Sequence, residues 1–216
     1  MPKKTSKLKN RGPTGPVRDP EATRARLIAA VGSLLARKGF QALGVNAVAR
    51  EAGVDKVLIY RYFGGLQELI GAYGREGDFW PTVKEMAGGD VERFAGLPLE
   101  KRLGELGRNF IRAVRGRPIT QEIMAWEMVE RNNLTVVLEA VREARMMQLW
   151  DRCFGDVPEH PLDLGAITAV IGAGISYLAT RSRNVQWYNG VDLQSDRGWR
   201  RLEDAISWIS RSAAEN

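Results

Sequence analysis

Few residues of this sequence could act in catalysis, and their spacing is poorly suited to a catalytic site. The single histidine, His160, directly precedes a proline, which is typical of a loop, and the single cysteine, Cys153, has no general base at a suitable helical spacing. A nucleophilic thiol requires such a base, so we expect Cys153 to be buried and unreactive. Gly172 and Gly174 lack the third glycine and the preceding strand of a dinucleotide-binding loop. No Cys/His spacing is typical of a metal site, and we expect no enzyme activity, no cofactor and no metal.

A different chemistry, hydrogen bonding to the edges of DNA bases, is indicated by residues 45–63. Ala49 and Gly53 have the spacing with which one helix approaches the next closely and turns sharply into it. Three apolar side chains are spaced to hold the two helices together: Val48, Val54 and Ile59. The second helix then projects side chains of the kind that enter a major groove: Lys56, Val57, Tyr60 and Arg61.

The net positive charge is concentrated at the N-terminus. The chain has 32 Lys and Arg against 26 Asp and Glu, a formal net charge of +6, and residues 1–26 carry that whole excess. A basic segment joined to a neutral remainder favours binding of a polyanion such as nucleic acid. The alternative is a basic tail that only keeps the chain soluble. Residues 1–19 have almost no apolar side chains and are predicted to form a disordered arm.

The sequence also favours a cytoplasmic protein without a membrane partner. One cysteine cannot form an internal disulfide, which suits a reducing compartment, and no apolar run precedes Leu27 as a secretory signal would. The longest uncharged stretch, residues 164–180, is shorter than the roughly 20 residues of a membrane span. This stretch is rich in small residues, and we expect a buried helix there.

Helices are predicted to position all of these side chains. Apolar residues recur three and four apart through most of the 216 residues, which predicts an all-α fold of about nine helices. Asp19 is placed to cap the first helix, which starts at Pro20. Residues 77–99 are interrupted by glycine and proline and predict short helices at most, and residues 184–196 predict a polar loop.

From residue 23 to about residue 73 the sequence resembles the TetR family of bacterial one-component regulators. The resemblance rests on the segments KGF, AREAGV, VLIYRYF and LQEL, and these residues match the family pattern: Gly39, Phe40, Val45, Val48, Ala49, Ala52, Gly53, Val54, Asp55, Ile59, Tyr60, Tyr62 and Phe63. It implies a DNA-binding domain at residues 20–76. It also implies an all-helical ligand-binding and dimerisation domain at residues 77–216, which does not carry the resemblance residue by residue.

The resemblance implies a role in operator binding for one group of residues: Gly44, Val45, Asn46, Asp55, Lys56, Val57, Leu58, Tyr60, Arg61 and Tyr62. Lys56 is suited to guanine and Val57 to the methyl group of thymine. Gly44 replaces the Ser or Thr that is usual in the family, and Leu66 replaces a phosphate-binding lysine. The basic arm compensates for these losses in our interpretation. The alternative for each residue is a solvated helix face, or inward packing for Leu58.

A second group of large, adaptable side chains could line a ligand cavity between helices, as the resemblance implies: Phe110, Met124, Trp126, Met128, Met146, Met147, Trp150 and Tyr177. The alternative for each of them is ordinary core packing. The effector itself is not identified by the sequence.

A third group could form a homodimer interface made of two helices. Small residues recur at helical spacing in the first helix, and apolar residues form a stripe on the second: Gly165, Ala169, Gly172 and Ser176, followed by Trp199, Leu202, Ile206 and Ile209. The alternative is close packing within one subunit. We favour the dimer because two reading heads, roughly 34–36 Å apart, suit a palindromic operator.

These inferences together predict a ligand-responsive transcriptional repressor that binds double-stranded operator DNA and is released by a small molecule. One alternative is a TetR-like nucleoid or division factor that binds DNA without a ligand. The other is a helical enzyme that uses the Met- and Trp-rich cavity.

Overall fold

The computed structural model describes residues 19–157 and 160–214 of the chain. Within these ranges the fold is all-α, as predicted, with eleven α-helices, one 3-10 turn and one short hairpin. The helix count exceeds the expected nine mainly because residues 77–99 form two short helices. The arm predicted for residues 1–19 lies outside the described residues except for Asp19.

The helices follow one another along the chain with short connections. Their bounds are: α1 Pro20–Lys38, α2 Val45–Ala52, α3 Val57–Phe63, α4 Leu66–Glu76, α5 Val83–Met86, α6 Val91–Ala95, α7 Leu99–Arg115, α8 Pro118–Glu127, α9 Asn133–Cys153, α10 Leu164–Arg181 and α11 Asp196–Ala214. The 3-10 turn is Phe40–Ala42, and the two strands are β1 Trp187–Tyr188 and β2 Val191–Asp192.

Local signals define both ends of α1. The Asp19 carboxylate accepts hydrogen bonds from the backbone N–H groups of Glu21 (2.9 Å) and Ala22 (3.2 Å), and Pro20 occupies the first turn, where no N–H donor is needed. Gly39 ends the helix with a φ of 71°. The predicted cap and start of this helix are confirmed.

Gly39 also lies where α1 meets α8. A Cβ atom at Gly39 would lie 2.7 Å from the Trp126 ring, whereas a Cβ at Gly53, whose φ is 64°, would meet nothing within 4 Å. We expect Gly53→Ala to cost about 1–2 kcal/mol for backbone strain. Gly39→Ala should cost about 1–3 kcal/mol more, because the Gly39 backbone (φ 71°, ψ −174°) lies in a region that is nearly restricted to glycine and because a Cβ would overpack against Trp126. Urea denaturation followed by circular dichroism measures both, and equal losses would contradict the packing argument.

The first four helices pack on the rest of the chain through α1 and α4. α1 lies against α8, and α4 lies against α9. Glycines in α4 allow the close approach, since a Cβ at Gly74 would lie 3.0 Å from Val141 and 3.1 Å from Leu138 of α9. α7 and α11 form the most extensive helix pair, in which Ile206 packs against Gly107.

The polar loop expected at residues 184–196 is in part a β-hairpin, so that prediction is wrong there. β1 and β2 pair antiparallel, with Trp187 opposite Asp192. Asn189 and Gly190 both have positive φ (48° and 71°), the conformation that a two-residue turn between paired strands requires.

The helix expected to be buried at residues 164–180 is instead α10, one of the more exposed helices. Only 22% of α10 is buried, and Val170 is 74% exposed. Among the described residues α10 is the one helix that is long and apolar enough to cross a membrane, which for a single helix is a weak indication. Its packed side lies against α7 and α8.

Candidate functional site

α2 and α3 form the predicted helix–turn–helix. Val48 and Ala49 are buried beneath α2, and Ile59 is buried beneath α3. Gly53 ends α2 in the left-handed conformation, and its N–H group bonds the carbonyl groups of Ala49 and Arg50. Ala49 and Gly53 therefore allow the close helix approach and the sharp turn that their spacing predicted.

α3 begins at a side-chain cap and presents an exposed face. The Asp55 carboxylate accepts a hydrogen bond from the Val57 N–H group at 2.9 Å, at the start of this helix. Val57 is 62% exposed and Tyr60 is 56% exposed, and Lys56 lies beside them at the helix start, also exposed. Large apolar and aromatic side chains that remain in solvent on a short basic helix are suited to contact with a partner.

The residues expected to bind DNA divide into an exposed and a half-buried set. The exposed set is Asn46, Asp55, Lys56, Val57, Tyr60 and Arg61. The half-buried set is Gly44, Val45, Leu58 and Tyr62. Val45, Leu58 and Tyr62 pack against the core, so the inward alternative fits Leu58 better than contact with a base. Gly44 begins α2 in an extended conformation without a side-chain cap.

Ion pairs fix the helix–turn–helix against its neighbours. Arg37 on α1 bonds Glu51 on α2 at 2.6 Å, and Arg24 on α1 bonds Glu76 at the end of α4. These hydrogen bonds to arginine hold the pKa of both carboxyl groups below the ordinary value. The Arg24 guanidinium also lies 5.1 Å from the Phe63 ring centre, which ties α1, α3 and α4 together.

An apolar cavity of about 600 Å³ lies between the later helices. α7, α9, α10 and α11 contribute to its wall, together with Trp80 and Met86. Four of the residues expected to bind a ligand line it: Phe110, Met146, Met147 and Trp150. Its size is that of a pocket for a drug-sized molecule.

Other residues expected at the ligand site lie elsewhere. Met124 is buried outside the cavity wall, Trp126 packs on Gly39, and Met128 is exposed. Tyr177 meets the Tyr188 ring edge-on at 5.9 Å. Their size and softness indicated burial against other helices but could not indicate which of these helices enclose the cavity.

The sequence reasoning missed several residues of the cavity wall, which are Trp80, Met86, Leu103, Leu106, Glu143, Ile175 and Ser210. Trp80 and Met86 come from residues 77–99, which glycine and proline interrupt and which predicted short helices at most. Leu103 and Leu106 belong to an apolar stripe along α7, whose helical spacing is visible in the sequence. Nothing in that stripe distinguished a cavity wall from solid core.

The structure divides the expected dimer residues as well. Gly165, Ala169, Gly172 and Ser176 line the cavity, so the small residues of α10 face that space. Trp199 and Ile206 are buried within the chain and Leu202 is half-buried, whereas Ile209 is exposed. Trp199 and Ile206 therefore do not lie on an outer surface, because they fill the contact between α11 and its neighbours. The exposed apolar side chains of the two helices are instead Val170, Tyr177, Trp208 and Ile209.

The residues first considered for catalysis have no catalytic setting. Cys153 is buried, and burial raises the pKa of its thiol, the opposite of what a nucleophilic thiolate requires. His160 accepts a hydrogen bond from the Leu162 N–H group at 3.1 Å. Over residues 19–157 and 160–214 no group of three or more His, Cys, Asp or Glu side chains could hold a metal ion.

The fold and these two sites define a class of protein. A helix–turn–helix with an exposed second helix stands at the N-terminus of a larger helical body that contains an apolar cavity. This is the architecture of a transcriptional regulator that has a DNA-binding unit and a second helical domain in one chain.

Comparison with known proteins agrees. Residues 22–73 match the family model of bacterial regulatory proteins, tetR family. An HTH-type transcriptional repressor of Streptomyces coelicolor is 43% identical over 53 residues, which is 24% of this chain and 28% of that protein. Residues 22–73 are therefore similar to the DNA-binding segment of the tetR family, and the resemblance found in the sequence is confirmed over these residues. The curated relative is matched over little more than a quarter of its length.

Solved structures share the fold over nearly the whole chain. A TetR family transcription regulator from Marinobacter aquaeolei has a TM-score of 0.62 at 16% identity, with 88% of this chain and 95% of that chain covered. The fatty acid degradation regulator FadR from Bacillus halodurans has a TM-score of 0.62 at 15% identity, with 92% and 96% covered. FadR from Bacillus subtilis, solved with stearoyl-CoA, has a TM-score of 0.58 at 18% identity, with 86% and 97% covered.

Proposed function

We propose that this protein is a cytoplasmic transcriptional repressor that binds a palindromic operator as a homodimer and leaves it when a small molecule enters the cavity. The observation that carries the proposal is the position of α4. This helix follows the exposed α3 after a turn at Gly64 and Gly65 and packs along α9, whose later turns line the cavity. One helix thus joins the two sites.

Contact between α4 and α9 is tight enough to transmit a displacement. The approach is closest at Gly74, where a Cβ atom would lie 3.0 Å from Val141 and 3.1 Å from Leu138 of α9, whereas at Gly71 it would make ordinary contact with Val137 at 3.6 Å. A packed interface of this kind does not deform gradually. A ligand that moves α9 would therefore move α4, and α4 would change the spacing of the two α3 helices in a dimer.

In this proposal the exposed face of α3 reads the operator. Lys56 pairs with a base edge or phosphate, Val57 meets a thymine methyl group, and Tyr60 and Arg61 contact a base or the backbone. Asn46 reaches the groove from α2. Residues 20–76 then act as the DNA-binding domain and residues 77–216 as the domain that binds the ligand and dimerises.

The exposed apolar side chains of α10 and α11 support the dimer. Val170 is 74% exposed and Trp208 is 64% exposed, although both lie on helices whose opposite sides are packed. Contiguous exposed apolar surface marks protein interfaces, and a partner that covered these two helices would remove both side chains from water. A second copy of the chain, related by a two-fold axis, would match the symmetry of a palindrome.

DNA selection followed by footprinting tests the proposal. Purified protein is incubated with fragments of its source genome, and the bound fragments are sequenced. Nuclease digestion of the bound fragments then shows which bases the protein protects. We expect one palindromic site, with two protected half-sites about one helical turn apart. Binding along all fragments without preference would favour the ligand-independent nucleoid factor, and absence of DNA binding would overturn the proposal.

The basic arm should contribute affinity without specificity. It carries these cationic residues ahead of the first helix: Lys3, Lys4, Lys7, Lys9, Arg11 and Arg18. Each phosphate contact contributes about −0.9 to the slope of log affinity against log salt, so deletion of residues 1–18 should flatten that slope for every DNA sequence alike. Fluorescence anisotropy over a salt series measures it, and an unchanged slope would remove the arm from the interface.

A further inference from the structure

The wall of the cavity, as far as residues 19–157 and 160–214 form it, carries negative charge only. Of the described residues that line it, Glu143 alone is charged, and no Lys, Arg or His is among them. The rest of the described wall consists of apolar, aromatic and small residues with a few hydroxyl groups. A ligand that enters this space meets one carboxylate and no compensating cation.

Glu143 has no ion pair within the described part of the chain, whereas the other two glutamates near it do. One turn earlier, Glu139 bonds Arg131 at 2.8 Å. Arg142, adjacent to Glu143, is directed away from it and bonds Glu127 at 2.5 Å. Within the described part of the chain no ion pair or hydrogen bond involves the Glu143 side chain, so its charge is available to a ligand.

Aromatic rings accompany this carboxylate. Trp150 lies two helical turns after Glu143 on the same side of α9 and lines the cavity with it, as does Phe110. Trp80 also lines the cavity, but the Arg142 guanidinium already lies 5.5 Å from its ring centre, so Trp150 and Phe110 are the rings left for a ligand. The faces of aromatic rings attract cations, and a quaternary cation is bound best where such rings surround it. The carboxylate and the rings therefore favour the same kind of ligand.

The wall also contains two buried polar atoms without a partner. Trp80 Nε1 and Ser210 Oγ are buried, and neither has a hydrogen-bond partner among the described residues. Both residues line the cavity. Buried donors are usually satisfied, so a ligand with a hydrogen-bond acceptor would gain affinity here.

We infer that the effector is a lipophilic cation, with its charge near Glu143 and a hydrogen-bond acceptor within reach of Trp80 or Ser210. That this cation acts as the effector rests on the proposed function, but its binding in the cavity does not. An acyl-CoA, the class of ligand in the Bacillus subtilis structure, carries several negative phosphates, for which this wall supplies no cation.

Two ions of nearly equal shape and opposite charge test the sign of the ligand. Isothermal titration of the full chain, without DNA, compares tetraphenylphosphonium with tetraphenylborate. We expect the cation to bind at least about tenfold more tightly, which corresponds to about 1.4 kcal/mol. Equal affinities, tighter binding of the borate, or no heat from either ion at millimolar concentration would overturn the inference, as would tighter binding of stearoyl-CoA.

Glu143→Gln should remove most of this preference, and Glu139→Gln should keep it. Both substitutions remove one carboxylate from the same helix, but Glu139 does not line the cavity. Because Glu143 is exposed, its substitution should leave the fold and the circular dichroism spectrum unchanged. A tenfold preference that survives in Glu143→Gln, or disappears equally in both variants, would overturn the assignment of Glu143.

A second pair of probes tests the acceptor. (4-Oxopentyl)triphenylphosphonium and its pentyl analogue differ in one ketone oxygen. We expect the ketone to bind about threefold or more tightly, and Ser210→Ala or Trp80→Phe to abolish that difference. No preference for the ketone in the unaltered chain would overturn the assignment of Trp80 and Ser210 as donors to the ligand.

Release of operator DNA by a cation that binds is measured in a separate experiment. A chain that binds the cation but no DNA refutes the proposed function alone, and a chain that binds its operator but no cation refutes this inference alone.

Discussion

Lys56→Ala and Tyr60→Ala are each expected to weaken operator binding by about 1–3 kcal/mol, the usual cost of losing a contact to a base edge. Both side chains are exposed at the start and middle of α3, and neither contributes to the core beneath that helix. Their loss should therefore reduce affinity for the selected site more than affinity for unrelated DNA. Fluorescence anisotropy with the operator and with a scrambled duplex measures the two affinities.

Two substitutions elsewhere control for charge and for aromatic surface. Lys101 lies exposed on α7, and Trp187 is 61% exposed on the hairpin, so Lys101→Ala and Trp187→Ala should leave operator affinity close to that of the unaltered chain. All four variants should keep the native circular dichroism spectrum. Operator binding of near wild-type strength in both α3 variants would show that this face does not enter the groove.

The double substitution Val170→Glu with Trp208→Glu is expected to convert the dimer to a monomer. It places a carboxylate on each of the two exposed apolar helices, α10 and α11. Burial of an unpaired charge at an interface costs several kcal/mol. Operator affinity should then fall by about 10²–10⁴-fold, because the second reading head no longer binds intramolecularly. Sedimentation velocity reports the oligomeric state, and anisotropy reports the affinity.

Val129→Glu is the matched control for this experiment. Val129 is 75% exposed and lies between α8 and α9, outside the two helices of the proposed interface, so the added charge should change neither mass nor operator affinity. An unaltered chain that sediments as a monomer would refute the dimer. A double variant that remains a dimer would show that another surface joins the subunits.

The DNA-reading unit could be predicted from the sequence because its signals are local. Asp19 and Asp55 cap the helices that follow them, and Gly53 supplies the left-handed residue between α2 and α3. Each signal acts through the backbone within a few residues, so its effect does not depend on distant packing. The same holds for the all-α character of the chain, which follows from apolar periodicity along each helix.

Only the tertiary structure decided which side of each later helix faces which neighbour. The small residues of α10 suggested a helix–helix contact but face the cavity, and Trp199 and Ile206 suggested an outer surface but are buried. Trp80 and Glu143 had no pattern that assigned them to a ligand site. An apolar stripe determines that a helix side avoids water, but core, cavity wall and subunit interface all satisfy that requirement. The choice among them depends on how distant helices pack, which no local spacing encodes.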